Sequence, residues 1–150
     1  GYVIGAYDSH NIIGASFGFE FDKHQAKGIM EISGLKQEFD MIEVKTQTAD
    51  GKFVLNKIVG RAKAGTVTIT RALTEDTQFA DWMKEANEGK LPRTNGSVIV
   101  YDTMMSPIMR YSLLDCQPAS LEIGTLKAAD TAVTTEKLTL HHVGMQVEKG

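Results

Sequence analysis

The stretch IVGRAKAGTVTITRALTEDTQFADWMKE, Ile58–Glu85, contains the change of period that decides the fold. Over Thr66–Ala72 the side chains alternate, with Thr66, Thr68 and Thr70 on one face and Val67 and Ile69 on the other, which is the period of a strand. β-branched residues suit a pleated strand, and a face of hydroxyls is content against water or a polar channel. Beyond Ala72 the period becomes 3.6. Phe79, Trp82, Met83 and Ala86 fall at i, i+3, i+4 and i+7 and make one apolar stripe. Asp76 or Thr77 can cap the start, Gly89 can end the helix, and Asp81, Lys84, Glu85 and Glu88 take the outer face. The spacing predicts one helix of about three turns.

Working outward, the same alternation recurs on both sides. Phe17, Phe19 and Phe21 face opposite to Gly18, Glu20 and Asp22, so Ser16–Phe21 reads as a half-buried strand. Asp22–Lys27 reads as a polar turn, Ile29, Met30 and Ile32 as a second strand, and Gly34 as punctuation. Glu38–Thr46 and Phe53–Val59 flank Asp50-Gly51, a dipeptide whose two residues tolerate positive φ and which signals a hairpin. The tip of this hairpin, Thr46, Gln47, Thr48, Asp50, Gly51 and Lys52, is polar on both faces. It either stands in solvent or docks on something. Pro92–Gly96 reads as a loop, Ser97–Tyr101 and Ile108–Cys116 as strands, Pro118 as a strand breaker, and Ala132–Gly144 as the last strand. The reading is seven or eight strands and one helix, a mainly β fold: a small antiparallel barrel or sandwich with the helix on its flank. Residues 1–15 read as an apolar, Gly-rich arm and 16–150 as a single domain. Tyr2, Val3, Ile4, Ile12 and Ile13 of the arm ask for cover from a partner.

The bulk properties remove several function classes. One hundred and fifty residues suit one domain with a sizeable core. A net charge of −3 offers no broad basic field for nucleic acid. The single cysteine, Cys116, excludes an intramolecular disulfide. No run of about 20 apolar residues suggests a membrane span, and Gly1–Phe21 has neither the basic region nor the cleavage site of a secretory signal.

Catalytic constellations fail on geometry. His141 and His142 are neighbours on a strand and point to opposite faces, so they do not share a metal. His10 and His24 have no Cys, Asp or Glu at metal-ligand spacing. Cys116 reads as a buried thiol without an activator. No glycine-rich phosphate loop follows a strand. The pairs Glu20/Asp22 and Asp40/Glu43 read as solvated strand faces rather than acid–base couples. The expectation is a non-enzyme without metal or other cofactor.

Six strings in order resemble the phage tail tube family, shared by myophage tails and the inner tubes of contractile injection systems. They are SFGFEFD (Ser16–Asp22), EISGLKQE (Glu31–Glu38) with its Ser-Gly-Leu step, the Ile58–Glu85 stretch, SVIVYD (Ser97–Asp102), IMRYSLLDCQPASLEI (Ile108–Ile123) and TTEKLTLHHVGM (Thr134–Met145). Gln117 stands where the family often has Trp before Pro. The resemblance implies a β-barrel flanked by a helix, six copies to a ring, and rings stacked into a hollow tube inside a contractile sheath. It also implies baseplate and cap partners and effector cargo in the lumen, with nucleic acid there only in a true phage tail. Assembly in a bacterial cytoplasm follows, as part of a particle kept there or released. In that frame the hairpin tip (Thr46–Lys52) is expected at the next ring. Thr66, Thr68 and Thr70 are expected on the lumen, and Asp81, Lys84, Glu85 and Glu88 toward the sheath. The alternative is a barrel that binds a small ligand or peptide, which requires a deep apolar interior cavity.

Overall fold

A computed structural model describes residues 15–90 and 94–150. Apart from Ala15, the expected N-terminal arm lies outside the described residues. Ten strands and one helix follow in the order β1 (Ser16–Phe21), β2 (His24–Ala26), β3 (Ile29–Ser33), β4 (Phe39–Gln47), β5 (Phe53–Ala62), β6 (Gly65–Ala72), α1 (Gln78–Asn87), β7 (Thr94–Tyr101), β8 (Pro107–Ala128), β9 (Thr131–His142) and β10 (Gly144–Lys149).

The organising element is β8, 22 residues long. Its first half pairs with β7 on one side and β10 on the other, while its second half pairs with β9. β9 and β10 are separated only by Val143, so together they run antiparallel along nearly the whole of β8. The first half belongs to the layer β2-β1-β7-β8 and the second to β8-β9-β6-β3. Between them lie Asp115, at φ 49°, and a register shift between Pro118 and Ser120.

Pro118 therefore does not break the strand, contrary to the sequence expectation. It sits at an irregularity, the place in a sheet where a residue without an N–H is tolerated, and the chain bends there from one layer to the other. β2 and β10 were likewise not legible as strands. β2 is three residues long, and β10 follows β9 after a one-residue break. Among the described residues no ladder joins β1 or β2 to β3, so the barrel stays open along that side.

The inward faces meet in one core. Phe19, Val98 and Leu113 from the first layer pack with Val67, Ile69, Leu138 and Leu140 from the second. α1 closes this core with its expected stripe: Phe79 and Trp82 are buried and Met83 packs against them. The Trp82 ring stacks on Phe21 at 4.3 Å between centroids and 12° between planes. Asp76 rather than Thr77 holds the helix start, because its Oδ1 accepts the Gln78 N–H at 3.0 Å while the Thr77 hydroxyl turns to Asp81. The end closes as expected at Gly89, with Gly89 N–H donating to the Ala86 carbonyl and Lys90 N–H to that of Glu85.

The Ser33-Gly34-Leu35 step has a physical reason. Gly34 adopts φ +87°, and a Cβ there would lie 2.3 Å from the Thr66 carbonyl oxygen. Only glycine lets the chain leave β3 this close to β6. Gly34→Ala is expected to lose the ~1–2 kcal/mol of a left-handed backbone and a further amount for the clash. Gly28 provides the control: it has φ +74° but open space around it, so Gly28→Ala loses the backbone part alone. Denaturation midpoints of the two variants measure the difference, and equal midpoints would show that the clash relaxes away.

Candidate assembly surfaces

β4 and β5 form a two-stranded sheet of their own, bonded among the described residues to each other and to no other strand. Residues paired across an antiparallel ladder share a face. One face carries Ile42/Ile58, Val44/Asn56 and Thr46/Val54 and has no charge along these pairs. The other carries Met41/Val59, Glu43/Lys57, Lys45/Leu55 and Gln47/Phe53. There the Lys45 ammonium lies 4.4 Å from the centre of the Phe53 ring. Both faces leave large apolar side chains in water, with Ile58 49% exposed on the first and Leu55 67% on the second. The sequence reading recognised the polar tip but missed this apolar shaft. The signal was present in Val54-Leu55 and Ile58-Val59: adjacent apolar residues on a strand must occupy opposite faces.

The tip is tied down from within. Gly51 N–H donates to the Thr48 carbonyl, and Thr48 N–H to that of Lys52. The Thr48 hydroxyl donates to the Asp50 carboxylate, and this bond, with the Lys52 N–H, holds the Asp50 carboxyl below the usual range. Of the Asp50-Gly51 pair only Gly51 takes positive φ, at +82°. Asp50 contributes its side-chain acceptor instead. Thr46 accepts from Asn56, and Gln47, Asp50 and Lys52 are exposed.

The hydroxyl face of β6 continues across its neighbours. Thr66 pairs with His141, Thr68 with Thr139 and Thr70 with Lys137, and β8 adds Ser120 and Glu122 beside the last two. The Thr66 hydroxyl lies 3.1 Å from His141 Nδ1, and Thr68 Oγ1 3.4 Å from that of Thr139. Thr66 is exposed, Thr68 half-buried and Thr70 only 5% exposed, so the wall deepens toward Thr70. Asp81, Lys84 and Glu85 on α1 and Glu88 just past its end are all exposed, opposite the buried Trp82.

The remaining titratable groups do not converge. His141 and His142 lie on opposite faces, the first at Thr66 and the second buried, with no hydrogen-bond partner at either ring nitrogen among the described residues. Burial holds the His142 pKa below its usual value. The imidazole is then neutral in the fold, and protonation favours the unfolded chain. The associated stability is present above the unfolded value of about 6.5 and is lost as pH falls from there through the folded pKa. His142→Leu is expected to flatten that slope in denaturation midpoints measured between neutral and mildly acidic pH; an unchanged slope would assign it to other groups.

Cys116 is fully buried, and burial pushes its thiol up to about 11, far from a nucleophile. Glu20 is spent on Arg110 at 3.3 Å. Among the described residues no three His, Cys, Asp or Glu side chains are grouped to hold a metal, and no helix is long and apolar enough to cross a membrane.

Residues 14–146 match the family described as T4-like virus tail tube protein gp19. No curated protein matches the chain by sequence. Solved structures share its fold at low identity. A chain of the PVC sheath-tube complex, an extracellular contractile injection system in its extended state, is 14% identical, with a TM-score of 0.75 over 100% of this chain and 99% of that one. A chain of the anti-feeding prophage cap, a tube-terminating cap, is 15% identical, with a TM-score of 0.71 over 93% and 92%. Hcp1 from Flavobacterium johnsoniae is 12% identical, with a TM-score of 0.51 over 89% and 94%.

Proposed function

Because the chain belongs to the T4-like tail tube protein family, a family of structural subunits and not of enzymes, we propose that it builds the hollow inner tube of a contractile injection particle as stacked hexameric rings. The observation that carries this reading is the β4–β5 hairpin. Exposed apolar patches on a soluble monomer are rarely large, and extended ones mark interaction sites. A ribbon with apolar side chains on both faces, and with both outer edges unpaired among the described residues, is completed by an assembly.

In this reading the tip from Thr46 to Lys52 meets the next ring. The hydroxyl wall of Thr66, Thr68 and Thr70 lines the lumen, and Asp81, Lys84, Glu85 and Glu88 face the sheath. Sheath, cap and baseplate are the expected partners, in keeping with the sheath-tube and cap complexes that hold chains of this fold. Protein cargo suits the lumen wall better than nucleic acid, because that wall is rich in hydroxyls and carries as its charges Glu31, Glu122 and Lys137. Ring formation by head-to-tail contacts closes, whereas stacking stays open, so the two are separable.

Replacing Thr46–Lys52 by a two-residue turn is expected to leave a folded protein with normal circular dichroism that no longer elongates, as read by sedimentation velocity. Normal polymerisation of that variant would remove the tip from the ring-to-ring contact. The binding-module alternative finds no support in the interior, which is filled by Phe19, Val67, Ile69, Val98, Leu113, Leu138 and Leu140.

A further inference from the structure

The hydroxyl wall contains a hollow. Across β3, β6, β9 and β8 the row Glu31, Thr70, Lys137, Glu122 shares one face, because each residue pairs with the next. Two residues away along β9, Thr135 stands on that same face and pairs with Gly124 of β8. Gly124 has no side chain to fill the space beside Thr135, and a cavity of ≈ 200 Å³ opens there with Leu126 in its wall.

The floor of this hollow is polar and buried. Thr70 and Thr135 are each 5% exposed and both line the cavity. Thr66 and Thr68 on the same face are bonded to His141 and Thr139, whereas the hydroxyls of Thr70 and Thr135 have no side-chain partner among the described residues. Thr135 Oγ1 lies 3.9 Å from where a Cβ of Gly124 would stand, so it is directed at the space the glycine leaves open. Around the floor Glu31, Glu122 and Lys137 are exposed, and none of them enters an ion pair among the described residues. Two carboxylates and one ammonium leave a net negative charge.

Chemistry selects the occupant. The volume is below the ~300–1,000 Å³ of small-molecule sites and suits a single side chain. An anion would meet two carboxylates. A metal ion asks for oxygen ligands on all sides, and here it would meet the Lys137 ammonium and the Leu126 side chain instead. We propose that the hollow binds an arginine side chain of a protein carried along this wall. Its apolar stem lies against Gly124 and Leu126, and its guanidinium donates to Glu31, Glu122 and the two threonine hydroxyls. Five N–H donors in one plane serve acceptors spread around a hollow better than the point charge of a lysine. The inference rests on the tube reading above, in which this face lines the lumen, and names what the wall holds. One site per copy repeats around and along the tube, so a cargo with several arginines is retained by many weak contacts.

The test titrates the full-length chain with an acetylated and amidated Gly-Arg-Gly peptide and follows the backbone amides by nuclear magnetic resonance. Saturable shifts are expected at Thr70, Gly124 and Thr135. The same peptide with citrulline, which keeps the shape without the charge, is expected to give none. Gly124→Val fills the hollow and leaves every charge in place. Its backbone has no positive φ, and the nearest atom to the new Cβ is at ordinary contact distance. This variant is expected to bind the peptide several-fold more weakly, as is Glu122→Gln, while Glu88→Gln, beyond α1, binds as the parent does.

Equal binding of the arginine and citrulline peptides, or parent-like binding by both Gly124→Val and Glu122→Gln, overturns the proposal. Loss of binding in Glu88→Gln equal to that in Glu122→Gln assigns the effect to net charge and also overturns it. Ring formation is followed in the same preparations by negative stain. Rings without peptide binding remove the site and leave the tube reading intact. Binding by a chain that never forms rings overturns the tube reading, and with it the assignment of the occupant to cargo.

Discussion

Arg71→Ala should cost about 3–5 kcal/mol of folding stability, the range for breaking a buried ion pair from one side. Arg71 is 2% exposed and Glu136 3%. The Arg71 Nε donates to Glu136 Oε1 at 2.6 Å, and its Nη1 reaches Asp76 Oδ2 at 3.1 Å. The same guanidinium lies 4.3 Å from the centre of the Phe79 ring. One side chain thus joins β6, β9, the turn after β6 and the first turn of α1. Its removal leaves the Glu136 carboxylate in the core without a counter-charge.

Arg71→Lys is expected to fall well short of the parent, because a single ammonium does not reproduce a fork bonded to two acids and stacked on a ring. Arg71→Met combined with Glu136→Gln should recover part of the loss, since neutralising both partners removes the unpaired charge. Urea denaturation followed by the fluorescence of the single Trp82 measures all three, and wild-type stability for Arg71→Ala would refute the account of this network.

The network also sets an acid limit. Burial pushes the Asp76 carboxyl up, but the Gln78 N–H and the Arg71 guanidinium outweigh it and hold the pKa below the usual value. A depressed carboxylate contributes stability above its unfolded pKa of about 3.9 and loses it as pH falls through the folded value. In Arg71→Ala that part of the acid loss should shrink.

Trp82→Ala should cost a similar ~3–5 kcal/mol. The indole is 3% exposed, stacks on Phe21 at 4.3 Å and lies 6.4 Å from Phe19. Truncation opens a cavity between α1 and both halves of the aromatic cluster. For a domain of this size the loss corresponds to a fall in Tm of roughly 10 °C or more. Trp82→Phe is expected to lose much less, because it keeps an aromatic ring in the stack and removes the indole N–H, which is buried without an acceptor among the described residues. Thermal unfolding followed by circular dichroism distinguishes these outcomes. An unchanged Tm for Trp82→Ala would place the helix stripe elsewhere.

The fold was legible wherever one face of an element is buried. The alternations Phe17/Phe19/Phe21 and Val67/Ile69, and the helical spacing of Phe79 and Trp82, each name the side that meets the core. Where that contrast is absent the pattern went silent. β2 has three residues, two of them exposed, and the second half of β8 begins at a proline whose missing N–H falls at a bulge. The assembly surfaces were half legible. Polarity on both faces singled out the hairpin tip. Among the described residues Ser16–Gly18 pair on the β7 side only and β3 on the β6 side only, and no run of residues records an absence of pairing.

The central claim is that a copy of this chain is completed by identical neighbours into a hollow cylinder. Two-dimensional averages of the purified protein in negative stain test it most directly. The account predicts rings with a central hole and sixfold symmetry, and side views of stacked rings as concentration rises. A monodisperse monomer at every concentration, with no annular particle, would contradict it.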